Sequence, residues 1–445
     1  MKKIADFGGA EVFYIPTDKF KTCGINVTFC DNLSKDRAYR NALVPMILNR
    51  GCSRFPTARE IARRLLSLYG AGISVNVDKK GEIQLIQFVA DFPDEKYAAL
   101  GKSGFERSSE GLAMKVLRLL FDLITDPVTE MTNGQEGFAK EYFVQERINQ
   151  DSFIRSAVND KQSYAMLRCQ ALMCAGEPYG VYELGAVSDG ESLDPVSLYR
   201  YYRDYFLRRL PVKIFYCGRE EPEALLTLLD GISCLHEGDR INLNPGYVPF
   251  GGGGMRMEEE VFDVAQGKLN IGFRTSIPPD SPQFPALAVC NGIFGAGTQS
   301  KLFQNVREKN SLAYYAASRL ERLKGIMVAY CGIACKNEKQ ARELILAQLE
   351  DIKRGAVTQE EYEATIRMFR NSFHSYKDTQ FAIMDFYIGQ SFLRQGQSID
   401  AFIDSITRVT IEDVIAAAQN IHPDLVYFLR GTDEEAAEGD DGAEE

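Results

Sequence analysis

Residues 292–315 read GIFGAGTQSKLFQNVREKNSLAYY and contain the most specific pattern in the chain. A glycine cluster is followed by a short segment with amphipathic helical spacing, which passes near Asn310 into the start of a strand. Arg307 falls in the last helical turn, where the helix dipole favours a cation. Tyr314 follows seven residues later, at the first strand position. A guanidinium and a phenol brought together at a sheet edge can hold a peptide carbonyl and a developing oxyanion.

These residues also have ordinary structural interpretations. Arginine is common at a helix C-terminus for dipole reasons alone, and tyrosine is common at a strand start because one end of its side chain is apolar. The cluster of Gly292, Gly295 and Gly297 matches the GxxxxG part of a phosphate-binding loop, but Thr298 stands where that loop requires lysine. A phosphate-binding loop is therefore excluded, and the context of the whole chain must decide the role of Arg307.

The composition indicates a multidomain globular protein with an acidic end. A chain of 445 residues is long for one core, so two to four domains are expected. Residues 433–445 carry −8 of the formal net charge of −11 and hold no basic residue. We interpret this segment as a disordered acidic tail. No basic patch typical of nucleic-acid binding occurs elsewhere in the sequence.

Targeting signals and paired cysteines are not evident in the sequence. No run of about 18 apolar residues is present, so no membrane span is expected. The N-terminal MKKIADFGGAEVFYI lacks an apolar signal core. The ten cysteines have no paired short spacings, which is typical of reduced, buried thiols. These features predict a cytoplasmic protein.

The chain repeats one pattern of strands and helices. GINVTF at 24–29 precedes a helix, and KLNIGF at 268–273 precedes another. Each half continues with a helix leading into a β-meander, with further amphipathic helices, and with a final strand after a last helix. Asp194 and Thr410 are the expected N-caps of those last helices. Because the strands run in hairpins, we predict an α+β fold of two homologous α/β halves, each an antiparallel-rich sheet with helices packed on one face.

The repeat and the glycine content suggest the domain boundaries. We expect an N-terminal domain over 1–235, a Gly-rich linker over 236–260, a C-terminal domain over 261–432 and the acidic tail over 433–445. The four consecutive glycines at 251–254 are not followed by GK[ST], so a flexible linker is the better interpretation.

Two homologous halves joined by a linker, with an R-x6-Y pair in the second half, resemble the insulinase-type (M16) metallopeptidases, which include the mitochondrial processing peptidase. The resemblance extends over nearly the whole chain. An active member carries H-x-x-E-H on the first helix of its first half, with two zinc-binding histidines and a glutamate that activates water. The equivalent positions here are Ala42, Pro45 and Met46, in NALVPMILNRG. None of these side chains can bind zinc as histidine does or act as a general base.

The histidine count excludes the family's zinc site without any alignment. The only histidines are His236, His374 and His422, so the first half contains none before residue 236. Glu141 and Glu146 lie in the region of the family's third zinc ligand, and without the histidines we interpret them as a solvated helix face. The resemblance therefore implies a degenerate homologue that holds no metal or cofactor and is not an enzyme on its own.

The resemblance also implies a division of labour. In the family's two-subunit members, one subunit holds the zinc site, and the degenerate one supplies an arginine and a tyrosine from its second half to the cleft of the other. Arg307 would then hold the substrate backbone and Tyr314 would donate to the oxyanion, with Gly292, Gly295 and Gly297 in a loop that flanks the substrate. The implied partners are a zinc-bearing M16 homologue in a heterodimer, or a second copy, and a peptide substrate. Neither nucleic acid nor membrane is implied.

Other functions remain open at this level. Residues 41–82 resemble the zinc-less member of a bacterial pair associated with aminopentanol modification of elongation factor P. An M16-fold binding or scaffold protein without a proteolytic role, similar to the family's respiratory-complex core subunits, is the main alternative. The retained Arg307 and Tyr314 favour the peptidase subunit. A peptidase with another mechanism would need a Cys–His or Ser–His pair, for which three unpatterned histidines give little support.

The purified chain is expected to bind no stoichiometric zinc and to cleave no peptide on its own, because no histidine precedes His236. Elemental analysis of the purified chain, beside a peptidase assay, checks this. One tightly bound zinc per chain, together with activity that a chelator abolishes, would contradict it.

Overall fold

The computed structural model describes residues 1–98, 111–236 and 238–432, and these divide into two compact units. The acidic segment 433–445 lies outside the described residues. Unit 1 consists of three stretches of chain, Met1–Arg155, Val181–Asn244 and Lys377–Phe392. Unit 2 is formed by the described residues of Ser156–Gly180, Pro245–Tyr376 and Leu393–Glu445.

Unit 1 is built on a six-stranded mixed sheet and a separate hairpin. Its strands are β1 (Lys2–Asp6), β2 (Ala10–Pro16), β3 (Thr22–Asn32), β4 (Gly72–Lys80), β5 (Ile83–Pro93), β6 (Thr129–Thr132), β7 (Gln135–Phe138) and β8 (Val212–Gly218). The sheet order is β1-β2-β8-β3-β5-β4, and β6 pairs with β7 alone. Only β2 and β8 run parallel, and the other neighbours in the sheet are antiparallel.

Unit 1 also contains helices between and beyond its strands. They are α1 (Lys35–Leu48), α2 (Ala58–Ser67), α3 (Glu95–Ala98), α4 (Leu112–Thr125), α5 (Lys140–Ser156), α7 (Pro195–Tyr201), the π-helix π1 (Tyr202–Phe206), α8 (Leu207–Arg209), α9 (Glu223–Asp230), α10 (Ser233–His236) and α14 (Gln380–Gln390). Asp194 caps α7 by accepting from the backbone N–H groups of Val196 and Ser197, which confirms the predicted cap.

Unit 2 contains a five-stranded mixed sheet with the order β11-β12-β10-β13-β9. Its strands are β9 (Arg256–Val261), β10 (Gly267–Thr275), β11 (Ala313–Glu321), β12 (Ile326–Ile333) and β13 (Ile421–Arg430). Its helices are α6 (Lys161–Met173), α11 (Phe284–Gly295), the π-helix π2 (Leu302–Lys309), α12 (Glu338–Lys353), α13 (Gln359–Tyr376), α15 (Ile399–Thr407) and α16 (Ile411–Ala418). Thr410 caps α16 in a capping box with Asp413, also as predicted.

The two sheets share one topology. The order β9-β13-β10-β12-β11 corresponds to β2-β8-β3-β5-β4, and in both sheets the parallel pair lies in the same place, β9 with β13 and β2 with β8. Asn26 on β3 and Asn270 on β10 occupy equivalent buried positions at the centre of each sheet. The predicted α+β fold with two homologous halves is confirmed.

One helix from the first half of the sequence packs in unit 2, and one helix from the second half packs in unit 1. The sequence did not predict this exchange. The helix α6 packs on β10 and β13 in unit 2, and the equivalent helix α14 packs on β3 and β8 in unit 1. A Cβ atom added to Gly24 of β3 would lie 3.1 Å from Met384 of α14, so the glycine permits a close approach. Each sheet therefore carries a helix on the face opposite its main core, and the compact units differ from the predicted ranges 1–235 and 261–432.

The linker region also differs from the prediction at its C-terminal end. Residues 245–255 have no regular secondary structure, and Cβ atoms added to the glycines at 251–254 would meet nothing within 4 Å. Residues from Arg256 onward instead form β9, which pairs in parallel with β13. The alternating apolar pattern of a half-buried strand is absent from RMEEEV because β9 is exposed on nearly its whole length. In the described part of the chain, no helix combines the length and the apolar content that crossing a membrane requires.

A cluster of charged side chains joins Glu177, in the segment after α6, to Arg274 and Lys324 of unit 2. The Arg274 guanidinium donates to the carboxylates of Glu177 and, at 2.9 Å, Asp424. Lys324, which is fully buried, forms an ion pair with Glu177 and donates to the Gly246 carbonyl at 2.8 Å. Burial would raise the pKa of Glu177, but hydrogen bonds from Arg274 and Lys324 outweigh this effect and hold the pKa below its ordinary value.

Glu177→Gln is expected to lower the free energy of unfolding by about 2–4 kcal/mol, because it leaves the buried Lys324 ammonium without its carboxylate. The folded-state pKa of Glu177 is depressed, so its stabilising contribution is complete above the ordinary pKa of glutamate and is lost as the pH falls through the folded value. The difference between wild type and variant should therefore shrink in acid. Urea unfolding at several pH values measures it.

Glu350→Gln is the matched control, because Glu350 forms only a surface ion pair with Lys353 and is half-exposed. Its effect should stay below about 0.5 kcal/mol. Equal effects of the two substitutions, or a difference that does not depend on pH, would contradict the assigned role of Glu177.

Candidate functional site

The junction of π2 and β11 positions Arg307 and Tyr314. The segment from Leu302 to Lys309 is helical, as predicted, but its turns are those of a π-helix. Leu302 and Val306 are buried and fix the helix to unit 2. The Leu312 N–H donates to the Val306 carbonyl at 3.0 Å, which ties the start of the strand to the helix. π-Helical turns are rare and occur frequently at functional sites.

The Arg307 side chain is held mainly by an aromatic ring. Its guanidinium lies 4.6 Å from the ring centroid of Phe303, one turn earlier in π2. Its Nε is 3.6 Å from a carboxylate oxygen of Glu308, and both side chains are more than two-fifths exposed. Such a long surface contact contributes little to stability, so the guanidinium can donate to a ligand. The sequence analysis missed Phe303, although the aromatic-to-arginine spacing of four residues on one helix indicates such a contact.

Tyr314 lies at an irregularity on the edge of the five-stranded sheet. The pairing of β11 with β12 shifts between Ala313 and Tyr315, so Tyr314 falls in a bulge. The residue is 74% exposed, and its hydroxyl forms no hydrogen bond with any described residue. Bulges at sheet edges commonly re-aim a side chain. Ser311, which precedes the strand, has a φ of +49°, so a left-handed turn separates the helix from the strand.

Arg307 and Tyr314 therefore lie on consecutive elements at one surface junction, where the sequence placed them. They form no direct hydrogen bond with each other, and neither is buried. A guanidinium provides two parallel donors for a carbonyl or carboxylate, and a phenol provides one donor for an oxyanion. The junction can thus bind and polarise a peptide carbonyl.

The predicted glycine loop is wrong for two of its three members. Gly292 and Gly295 lie inside α11, and both are buried. A Cβ atom on Gly292 would lie 2.5 Å from Thr365 and 2.7 Å from Phe369 of α13, and one on Gly295 would lie 2.5 Å from the Ser318 hydroxyl. These glycines permit close packing of α11 against its neighbours and cannot flank a substrate. Gly297 alone lies outside the helix.

The degenerate zinc positions lie on α1 and belong to the packing of unit 1. Ala42 is completely buried, Pro45 is buried inside the helix, and Met46 is half-buried. Their side chains offer no nitrogen or carboxylate oxygen to a metal. Over the described residues, no group of three or more histidine, cysteine, aspartate or glutamate side chains is arranged to hold a metal ion.

The interpretation of Glu146 as part of a solvated face is wrong. Glu146 is 6% exposed and forms an ion pair with Arg50 at the end of α1. It also accepts from the Asn149 amide at 3.1 Å. Burial of the carboxylate is possible because the guanidinium supplies the compensating charge. Glu141, one turn earlier, is exposed as predicted.

Gly292→Ala is expected to destabilise the protein by about 1–3 kcal/mol, because overpacking against Thr365 and Phe369 outweighs the better helix propensity of alanine. Thermal and urea unfolding measure the change. Gly251→Ala is the matched control, since a Cβ there meets nothing within 4 Å, and it should be nearly neutral. A neutral or stabilising Gly292→Ala would contradict the packing role.

Comparison with known proteins shows which family this chain resembles. A family model described as "Peptidase M16 inactive domain" matches residues 192–369. The probable inactive metalloprotease YmfF of Bacillus subtilis is 32% identical over 437 residues, which cover 96% of this chain and 97% of that protein.

Two solved structures share the fold over nearly their whole length. A conserved protein from Enterococcus faecalis superposes with a TM-score of 0.83 at 29% identity, covering 95% of this chain and 97% of that one. A peptidase M16 inactive domain from Pseudomonas fluorescens superposes with a TM-score of 0.75 at 15% identity, covering 97% and 98%, which supports the fold alone. With 32% identity to YmfF over nearly the whole chain and with the match to the inactive-domain model, the chain belongs to the M16 peptidase family as a non-catalytic homologue.

Proposed function

We propose that this chain is the zinc-less subunit of a heterodimeric M16 peptidase and supplies Arg307 and Tyr314 to a zinc-bearing homologue. The observation that carries the proposal is the exposure of both side chains at one junction, where neither side chain is buried in the core. In contrast, Ala42 and Pro45, two of the three positions that would bind zinc, are buried residues of α1. The chain has thus given up one part of the family's site while keeping the other part accessible.

The exposure of Tyr314 supports a role in binding. A tyrosine at a strand start normally packs its ring and leaves only its hydroxyl in water. Tyr314 is 74% exposed, so burial does not explain its presence. Its hydroxyl is free of any described partner and can donate to the oxygen that becomes negative when a peptide carbonyl is attacked.

The contacts of Arg307 support a complementary role. Stacking on Phe303 restrains the side chain without using its N–H donors, whereas a buried ion pair would consume them. The guanidinium can therefore hold a substrate carbonyl in place while the neighbouring phenol polarises the scissile one. The partner contributes the zinc and the general base, which this chain lacks.

The alternative function is that of an M16-fold binding or scaffold protein with no proteolytic role. It predicts that this chain has no proteolytic partner, and that no peptidase activity depends on the exposed pair. The resemblance of residues 41–82 to the bacterial pair associated with elongation factor P modification stays a prediction about the subfamily.

Replacement of either residue should leave the fold and the partner complex intact but slow the complex. Arg307→Ala is expected mainly to raise KM, because it removes a contact to the substrate backbone. Tyr314→Phe is expected to lower kcat by about 10²–10³, which is the usual cost of losing one oxyanion donor. Steady-state kinetics of the chain co-purified with an H-x-x-E-H homologue measures both effects.

Matched controls separate this role from a general surface effect. Lys309→Ala removes a neighbouring cation of π2, and Tyr69→Phe removes the hydroxyl of another exposed tyrosine in unit 1. Both controls should keep wild-type kinetics. Unchanged turnover in Arg307→Ala and Tyr314→Phe, with the complex still assembled, would contradict the proposal. Arg307 would then be an ordinary arginine at a helix end and Tyr314 an ordinary tyrosine at a sheet edge, and the scaffold function would be favoured.

A further inference from the structure

Unit 1 carries a second arginine–tyrosine cluster, where the first turns of α1 lie near the end of α7 and near π1. The Arg37 guanidinium lies 5.3 Å from the ring centroid of Tyr205, and the Arg40 guanidinium lies 5.5 Å from that of Tyr201. The two rings are themselves stacked, with centroids 5.3 Å apart and an angle of 24° between their planes. Both guanidiniums are within the range of about 6 Å over which a cation is attracted to an aromatic face.

A buried polar network fixes the orientation of three of these four side chains. Asp31 is completely buried and accepts from Arg37 Nε at 2.8 Å and from the Tyr205 hydroxyl at 3.1 Å. Asn41 donates to the same carboxylate at 2.9 Å and accepts from the Tyr201 hydroxyl at 2.7 Å. Both tyrosine hydroxyls therefore point inward, and the faces of their rings remain available to the arginines.

The π-helix sets the position of the ring pair. Within π1, Tyr202 and Phe206 are buried in the core of unit 1, and the Tyr202 hydroxyl donates to the Ile124 carbonyl at 2.6 Å. Tyr201 and Tyr205, each one residue earlier, are half-buried at the surface. A π-helix thus lies beside the stacked rings of Tyr201 and Tyr205, as another π-helix precedes the exposed Tyr314.

Arg40 differs from the other members because its charge is not compensated. Arg37 neutralises Asp31 through its Nε and Nη2 atoms, which leaves the Nη1 donors of Arg37 unused in the network. Arg40 makes no hydrogen bond or ion pair with any described residue and is held only by the Tyr201 ring. Its planar fork is therefore pre-oriented and open, which lowers the entropy lost when it binds a ligand.

We propose that Arg40 and Arg37, mounted on Tyr201 and Tyr205, form a binding site for a compact oxyanion, either a phosphoryl group or a carboxylate. Two guanidiniums one helical turn apart can provide parallel donors to the oxygens of one such group. The stacked rings shield one face of each guanidinium, which strengthens its electrostatic attraction to an anion. The site shares no residue with the pair Arg307 and Tyr314.

Isothermal titration of the full-length chain with inorganic phosphate, pyrophosphate and glutarate tests the proposal, with sodium chloride at matched ionic strength as the reference. The expected result is saturable binding of at least one of these anions that Arg40→Gln abolishes. Binding of the phosphates alone identifies a phosphoryl site, and binding of glutarate alone identifies a carboxylate site. Absence of saturable binding, or an effect that chloride reproduces, would overturn the proposal.

Three variants separate the site from general surface charge. Arg63→Gln removes an exposed arginine of α2 and should leave binding unchanged. Arg40→Lys keeps the charge but loses the planar fork, and it should weaken binding markedly. Tyr201→Phe keeps the ring, and a loss of thermal stability without a loss of binding is expected. Full binding in Arg40→Gln or Arg40→Lys would show that the Arg40 guanidinium does not bind the anion, and it would overturn the assignment.

Discussion

The central strand of each sheet is buried on both faces, and this constraint determines much of the architecture. On β3, Ile25, Val27 and Phe29 face the main core, while Asn26 and Thr28 on the opposite face are buried as well. A second layer must cover that opposite face, and a helix from the other half of the sequence provides it in each unit. Neither half of the chain therefore completes its own sheet. In unit 2, the Glu177 charge cluster then fastens the segment that follows the exchanged helix, which makes the exchange part of the stability of that unit.

This arrangement separates the residues that maintain the fold from those available for binding. The predicted zinc-motif positions Ala42 and Pro45 are buried packing residues of α1, and Arg50 compensates the charge of the buried Glu146. At the edge of the other sheet, Arg307 and Tyr314 remain outside the packed layers. Packing does not explain the 74% exposed Tyr314 in a bulge, and Arg307 is stacked on Phe303. The proposed division of labour accounts for both observations.

Local patterns predicted the elements well because each depends on neighbours in the sequence. The amphipathic spacing of α12 and α13 and the N-caps Asp194 and Thr410 are properties of short stretches. The exchanged helices could not be predicted, because periodicity shows that a helix has an apolar face but not which sheet that face covers. The partner of Glu146 lies 96 residues away, and the glycines of α11 are explained only by α13 and β11.

The central claim is that this chain completes the site of a zinc-bearing homologue. The most direct measurement is the peptidase rate of a purified H-x-x-E-H homologue as this chain is added, with complex formation followed in parallel by analytical ultracentrifugation. The account predicts a low rate for each chain alone and a rise that saturates at one copy of this chain per copy of the partner. A homologue that is fully active alone, and whose rate does not change when the complex forms, would contradict it.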